Sequence, residues 1–417
     1  RCGCASRRRD DVANDDQRLA LPGFVNAHSH AFQRALRGRV ERRSAAHAED
    51  DFWSWRTTMY QDAARLGVDD VEALAAWAYA DMLKAGFVAV GEFHYLHHDA
   101  DGRPLPRPLF SLAHAIAARR IGIRLTLLEC AYARGGFERP AAGAQRRFVF
   151  PDARAFLAHV DLVRAAVPAG TQVGVAVHSV RAVPRDFIAE IANYARRDQL
   201  VLHAHACEQP RELLECQREH GMSPVALLEA CGALGPRTTL VHATHASADD
   251  VRRLAATGAM VCVTPSTERN LGDGLGPIAD FFAAGVPVCI GSDSHARIDV
   301  VDELRSLEDH ERLRLQRRNV LVPPGGSLHD ALLPAGTTTG RRSLGLPDDA
   351  GDRVSVAMPI EGRAEPGAAL DAWLVGGSSA DVLDVDVGGV ATVRDRALVR
   401  ASGGDIEAAA IDVLRRL

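Results

Sequence analysis

The chain almost lacks lysine. Of its 49 basic residues one, Lys84, is a lysine and the other 48 are arginine. It also lacks any run of about 18 apolar residues, so no membrane-spanning helix is expected. Neither sign of charge dominates. With 49 basic and 54 acidic residues the formal net charge is −5, which gives no electrostatic ground for nucleic acid or an anionic membrane as a partner. Aromatic residues are scarce at 5%, which argues against a pocket built for stacking flat heterocycles. No CxxC pair occurs among Cys130, Cys207, Cys216, Cys231, Cys262 and Cys289. Several of these lie inside apolar runs, such as Val261-Cys262-Val263. Buried free thiols in a reducing compartment fit that pattern, so a cytoplasmic location is expected. Cys2-Gly3-Cys4 is spaced too tightly for an ordinary zinc pair. The start, RCGCASRRRDD, has neither an initiator Met nor the apolar core of a signal peptide, so a chain trimmed at this end is expected.

What is present is a rhythm. Short apolar runs alternate with longer stretches of helical period. The runs are Leu21–His28, Phe87–Phe93, Ile121–Glu129, Gln172–His178, Leu200–His205, Thr239–His242, Met260–Thr264 and Val286–Asp293. Helix-like stretches include Val71–Ala85, Pro184–Arg197, Pro224–Ala230, Ala248–Thr257 and Pro277–Ala284, and several stop at a glycine: Gly86, Gly258, Gly285. Eight strand-then-helix units predict a (β/α)₈ barrel, a fold that runs to about 250 residues or more as one domain. The expected organisation is an irregular N-terminal segment over 1–20, a remnant of a β-domain; the barrel over 21–354; and a small flanking β-domain over 355–417. Within that tail Ala368–Val375, Val382–Val387 and Val390–Val399 read as strands.

Nearly every predicted strand ends in an ionisable residue: His28 and His30, Glu92 and His94, His178, His205, His242, Asp293. Strand ends of a barrel share one mouth, where active sites sit. A single such histidine is ordinary core; six strands converging on one rim are not. His28-Ser29-His30 puts two imidazoles on one face, because strand side chains alternate. His203-Ala204-His205 offers a third, taken as His205 because Glu208 follows. Asp293 closes the set. Three imidazoles and a carboxylate with an open position describe a catalytic zinc site, and ligand type also admits iron or manganese. Lys84 lies at a helix end before the second strand, the wrong end of the barrel for a ligand, which excludes a lysine-bridged metal pair.

PGFVNAHSHAFQRALRG, GEFHYLHH, HAHACEQ, LVHATH and GSDSH resemble the amidohydrolase superfamily and, within it, the formimidoylglutamate deiminases of histidine degradation. The similarity runs from about Leu21 to Val322. The resemblance implies one zinc ion held by His28, His30, His205 and Asp293, with Glu208, His242 and Asp293 as catalytic residues. It implies substrate contacts from Gln33, Arg56, Tyr95, His178 and Arg181. The implied reaction is hydrolysis of N-formimino-L-glutamate to N-formyl-L-glutamate and ammonia. Arg56 and Arg181 would then meet the substrate's carboxylates, for which the planar arginine fork is suited. The remaining histidines, His94, His97, His98 and His245, read as supporting or surface residues, and His295 as a pocket wall. Phe52–Trp55 reads as a loop, either lid or interface, and a homodimer is compatible with it. Three alternatives stay open: deamination of a purine, pyrimidine or related heterocycle; hydrolysis of an N-formyl or N-acyl amino acid; and an inactive barrel serving as a binding or scaffold protein.

Overall fold

The computed structural model describes residues 17–43, 50–348 and 351–417. The first strand, β1 (Arg18–Pro22), does not enter the barrel. After Gly23 the chain begins eight parallel strands: β2 (Phe24–Ser29), β3 (Phe87–His94), β4 (Arg124–Ala131), β5 (Gln172–Val177), β6 (Leu202–Ala206), β7 (Thr238–His242), β8 (Met260–Val263) and β9 (Val288–Ile290). They pair in sequence order. β9 returns to β2 through a bridge between Ser29 and Asp293. There the His30 N–H donates to the Asp293 carbonyl at 3.0 Å and the Asp293 N–H donates to the His28 carbonyl at 3.0 Å. The result is a nearly closed eight-stranded barrel. Its strands are covered on both faces, which is why they read as near-continuous apolar runs.

The seam is tight. A Cβ on Gly291 would lie 2.8 Å from the His28 Cβ and 2.9 Å from its carbonyl oxygen, so only glycine lets the two strand ends approach this closely. Helices pack outside. Val68–Lys84 opens with the Gly67 N–H donating to the Asp70 carboxylate at 2.8 Å and is followed by Gly86 at φ 92°. Ala248–Thr257 is capped by the Ser247 hydroxyl and closes on Gly258 at φ 71°. These follow the usual rules for helix ends.

The last strands, β10 (Arg353–Ala357), β11 (Val382–Val387), β12 (Val390–Arg394) and β13 (Ala397–Leu398), join β1 in an antiparallel sheet ordered β1-β10-β11-β12-β13. Leu21 and Pro22, read from sequence as the start of the first barrel strand, thus end β1, paired with Val354 and Arg353. Arg18 to Ala20, read as irregular, are part of the same strand. The run over Ala368–Val375 is not a strand but the helix Ala369–Gly376, which buries Trp373 and Leu374; a short apolar run fits either period, and here packing decided. Phe52–Trp55 is no loop either. It opens the helix Phe52–Arg65, capped by the Asp51 carboxylate. Cys2 and Cys4 lie outside the described residues. All six other cysteines are buried and unpaired. No helix of the described residues is long and apolar enough to cross a membrane.

Candidate active site

The C-terminal ends of the barrel strands carry backbone that non-glycine residues seldom adopt. Cys207 (φ 54°), His242 (φ 71°), Asp293 (φ 48°) and His295 (φ 60°) are all left-handed. Such residues persist where their surroundings over-determine them, and they gather at functional sites.

Within this rim the Nε2 atoms of His28, His30 and His205 meet. His205 lies 3.1 Å from His28 and 3.3 Å from His30. Asp293 Oδ1 stands 3.4 Å from the Nε2 of both His28 and His30. Ligands about 2.0–2.1 Å from a tetrahedral zinc would sit about 3.4 Å from one another, so the spacing fits a cation. The proton positions agree. His30 Nδ1 donates to the Phe93 carbonyl and His205 Nδ1 to the His178 carbonyl, each at 2.8 Å. Neutral rings held this way turn bare Nε2 lone pairs toward one another, an arrangement that calls for a positive centre. Burial pushes His28 down to about 3, keeping it in the ligand form. Burial alone would lift the Asp293 carboxyl, but contact with His28, His30 and His242 outweighs it and holds the group well below the usual range.

Glu208 and His242 stand beside this cluster. His242 Nε2 is 3.6 Å from Glu208 and 3.9 Å from Asp293, while its Nδ1 is 3.4 Å from Glu268 and 3.1 Å from the Thr264 hydroxyl. Burial works against an imidazolium here, yet Glu208, Glu268 and Asp293 push His242 up to about 10. Burial also raises Glu208, against the pull of His242 and Arg181. A carboxyl raised toward neutrality can both hold and release a proton, the requirement for general acid/base work. Glu208 sits in the turn after Cys207, ahead of the helix Pro210–His220.

Gln33, Arg56, Tyr95, His178 and Arg181 line the same cavity as His30, His205, Glu208, His242 and Asp293. The Gln33 amide donates to the Tyr95 hydroxyl at 2.8 Å. Arg181 is buried, with its guanidinium 3.5 Å from Glu208 and 3.9 Å from Glu212. Arg56 is different. Its guanidinium lies over the rings of Trp53 at 4.5 Å and Tyr60 at 5.5 Å, with no carboxylate partner among the described residues.

His295 is not a pocket wall. It is fully buried, with Nδ1 2.9 Å from the Ser292 hydroxyl and Nε2 3.1 Å from that of Ser29. His203 also stays outside the cluster, donating to the Ser343 carbonyl at 2.9 Å. His94, His97 and His98 are all buried rather than on the surface. Three acidic residues at the site went unseen in the sequence: Glu212, Glu268 and Asp273. Burial lifts Glu212 to about 7, and burial together with Glu208 lifts Asp273 to about 9. For Glu212 a signal existed, since it opens a helix four residues after Glu208. Glu268 and Asp273 have none.

A family model described as "Amidohydrolase family" matches residues 19–352. A formimidoylglutamate deiminase of Pseudomonas aeruginosa is 42% identical over 412 residues, covering 94% of this chain and 89% of that protein. An 8-oxoguanine deaminase of the same organism is 27% identical over 303 residues, covering 72% of this chain and 64% of that protein. Among solved structures, an amidohydrolase from Brucella melitensis is 37% identical with a TM-score of 0.89, covering 95% of this chain and 89% of that one.

Proposed function

The chain belongs to the amidohydrolase family and is a hydrolase of carbon–nitrogen bonds; from that premise we propose that it deiminates N-formimino-L-glutamate, using one zinc ion, as a step in histidine degradation. Iron or manganese would satisfy the same donors. His28, His30, His205 and Asp293 would hold the ion. When bound, it supplies Lewis acidity that lowers the pKa of water to roughly 7, making a nucleophile available at neutral pH.

The protein's own residues do the rest. Asp293 and His242 orient the water for attack on the formimino carbon. Glu208 takes a proton from that water and delivers it to the terminal nitrogen. The carbon–nitrogen bond to that nitrogen then breaks, ammonia leaves, the remaining hydroxyl gives its proton to Asp293, and the carbon keeps the water's oxygen as a formyl group. Gln33 and Glu208 hold the cationic amidine, with Tyr95 fixing the Gln33 amide. His178 packs beside His205 and faces the same cavity. The substrate's carboxylates fall to Arg56 and Arg181.

The observation that carries the choice of substrate is Arg56. A half-buried guanidinium at the cavity that feels Glu208 only at a distance, and has no ion pair among the described residues, is a site prepared for an anion. A purine or pyrimidine would leave it unanswered. The 42% identity to a deiminase of this specificity supports the same reading. The test is ammonia release from N-formimino-L-glutamate by zinc-loaded protein, with Glu208→Gln as control. Ammonia from the parent chain alone supports the proposal. Turnover of a heterocyclic amine, or formate from an N-formyl amino acid, with no ammonia from the formimino compound overturns it.

A further inference from the structure

A second cluster of histidines and a carboxylate lies outside the barrel mouth. His94 ends β3 and Glu129 lies near the end of β4, and the two face each other in the strand register. Phe93 contacts the rings of His28, His30 and His205, so by alternation its neighbour His94 turns to the outer side of the sheet. There it meets His97, three residues on, whose ring packs in turn on His159 from the helix Ala153–Ala166. One ligand atom each from His94, His97 and Glu129 lie within 4.8 Å of one another.

The hydrogen bonds of this cluster do not close. His97 Nε2 donates to the Cys130 carbonyl at 2.9 Å, so a neutral ring has a bare lone pair at Nδ1. That atom faces Glu129 Oε2 at 3.5 Å, one acceptor against another. His159 Nε2 lies 3.1 Å from the same oxygen. His94 Nε2, His97 Nδ1 and Glu129 Oε1 have no hydrogen-bond partner, although all three residues are almost fully buried. Protonating His97 would answer only one of these atoms, and burial pushes both His94 and His97 well below the usual histidine range. A cation held between these residues would answer the bare imidazole nitrogens and the carboxylate together. Imidazole nitrogens with one carboxylate suit zinc and its borderline neighbours, not calcium or magnesium, which prefer oxygen ligands. The His159 side chain is 14% exposed and gives a route in from solvent.

We propose that His94, His97 and Glu129, with His159 bonded to the carboxylate, form a second divalent-cation site of the zinc class, separate from the cluster at the mouth. It ties the ends of β3 and β4 to the helix that covers them.

The experiment is metal analysis of the full chain, loaded with zinc and cleared of loose metal on a chelating resin. Two zinc ions per chain are expected for the parent and one for Glu129→Gln or His97→Gln. In a chelator titration, His159→Gln is expected to release its second zinc at least tenfold more readily than the parent. That variant changes a partly exposed helix residue and keeps the test available if the buried variants fail to fold. With cobalt in place of zinc, the parent should show visible bands that the Glu129→Gln difference spectrum lacks. One zinc per chain in the saturated parent overturns the proposal. So does a second zinc that Glu129→Gln and His159→Gln both hold as tightly as the parent.

Discussion

His30 and Asp293 are joined twice. The His30 backbone N–H donates to the Asp293 carbonyl at 3.0 Å, and the Asp293 carboxylate stands 3.4 Å from the His30 ring. The bridge that closes the barrel and the cluster that would hold the metal therefore share these two residues. Removing the metal should be felt as lost stability as well as lost activity. A ligand that binds only the folded state stabilises it by about 4 kcal/mol at a thousandfold excess over its Kd. Stripping with a chelator should lower Tm by several degrees and zinc should restore it, as scanning calorimetry would record. An unchanged Tm would disconnect metal from seam.

Gly291→Ala tests the seam from the other side. The added methyl meets His28 at 2.8 Å, and overpacking of this kind costs about 1–3 kcal/mol. Denaturant unfolding should show that loss, with zinc affinity falling in parallel because His28 must move. Full stability with full zinc affinity would contradict the close approach.

Glu208→Gln keeps the shape of the side chain and removes its proton chemistry. General acid/base residues contribute about 10²–10⁴-fold. The variant should lose kcat by that order while zinc content stays at the parent level, because Glu208 is not among the four proposed ligands.

Arg56→Met keeps an apolar side chain of similar reach beside Trp53 and Tyr60 and removes the guanidinium that lies over their rings. A hydrogen bond to a charged group contributes about 1.5–3 kcal/mol, so KM for the formimino substrate should rise at least tenfold with a smaller change in kcat. An unaltered KM would take Arg56 out of the substrate's reach.

Glu303 gives a pH dependence away from the metal. Its carboxyl is fully buried against the Ser266 N–H and hydroxyl, and burial raises it from 4.5 to about 8. The folded chain thus keeps a proton that the unfolded chain loses. This contribution to stability is complete below about pH 4.5 and is lost as pH rises through about 8. Glu303→Gln imitates the protonated form. Its Tm should fall less than the parent's between pH 5 and pH 8.

The barrel was legible because its strands are short, apolar and end in ionisable residues, a combination that alternation alone does not produce in core. The proposed ligands were legible for the same reason: His28, His30 and His205 sit at strand ends, where chain position implies place. Glu268 and Asp273 lie in a short helix and the turn beyond it, where position implies nothing until the barrel closes. They are two of 54 acidic residues. The helix Ala369–Gly376 was misread because eight residues are too few to separate one period from the other. Arg18–Ala20 were misread because their partner strand is distant in sequence.

That distance carries a consequence. β1 pairs with β10 across more than 300 residues, Arg18 lying opposite Ala357. During synthesis from the N-terminus, every barrel strand emerges before β1 meets its mate. The flanking sheet thus forms after the barrel strands are out, a clasp fastened over a finished vessel. Until then β1 is an open strand edge, the kind that invites pairing with another chain. Slow passage through the stretch that carries β10 to β13 would lengthen that exposure and raise the risk of aggregation, while leaving the chemistry of the mouth untouched.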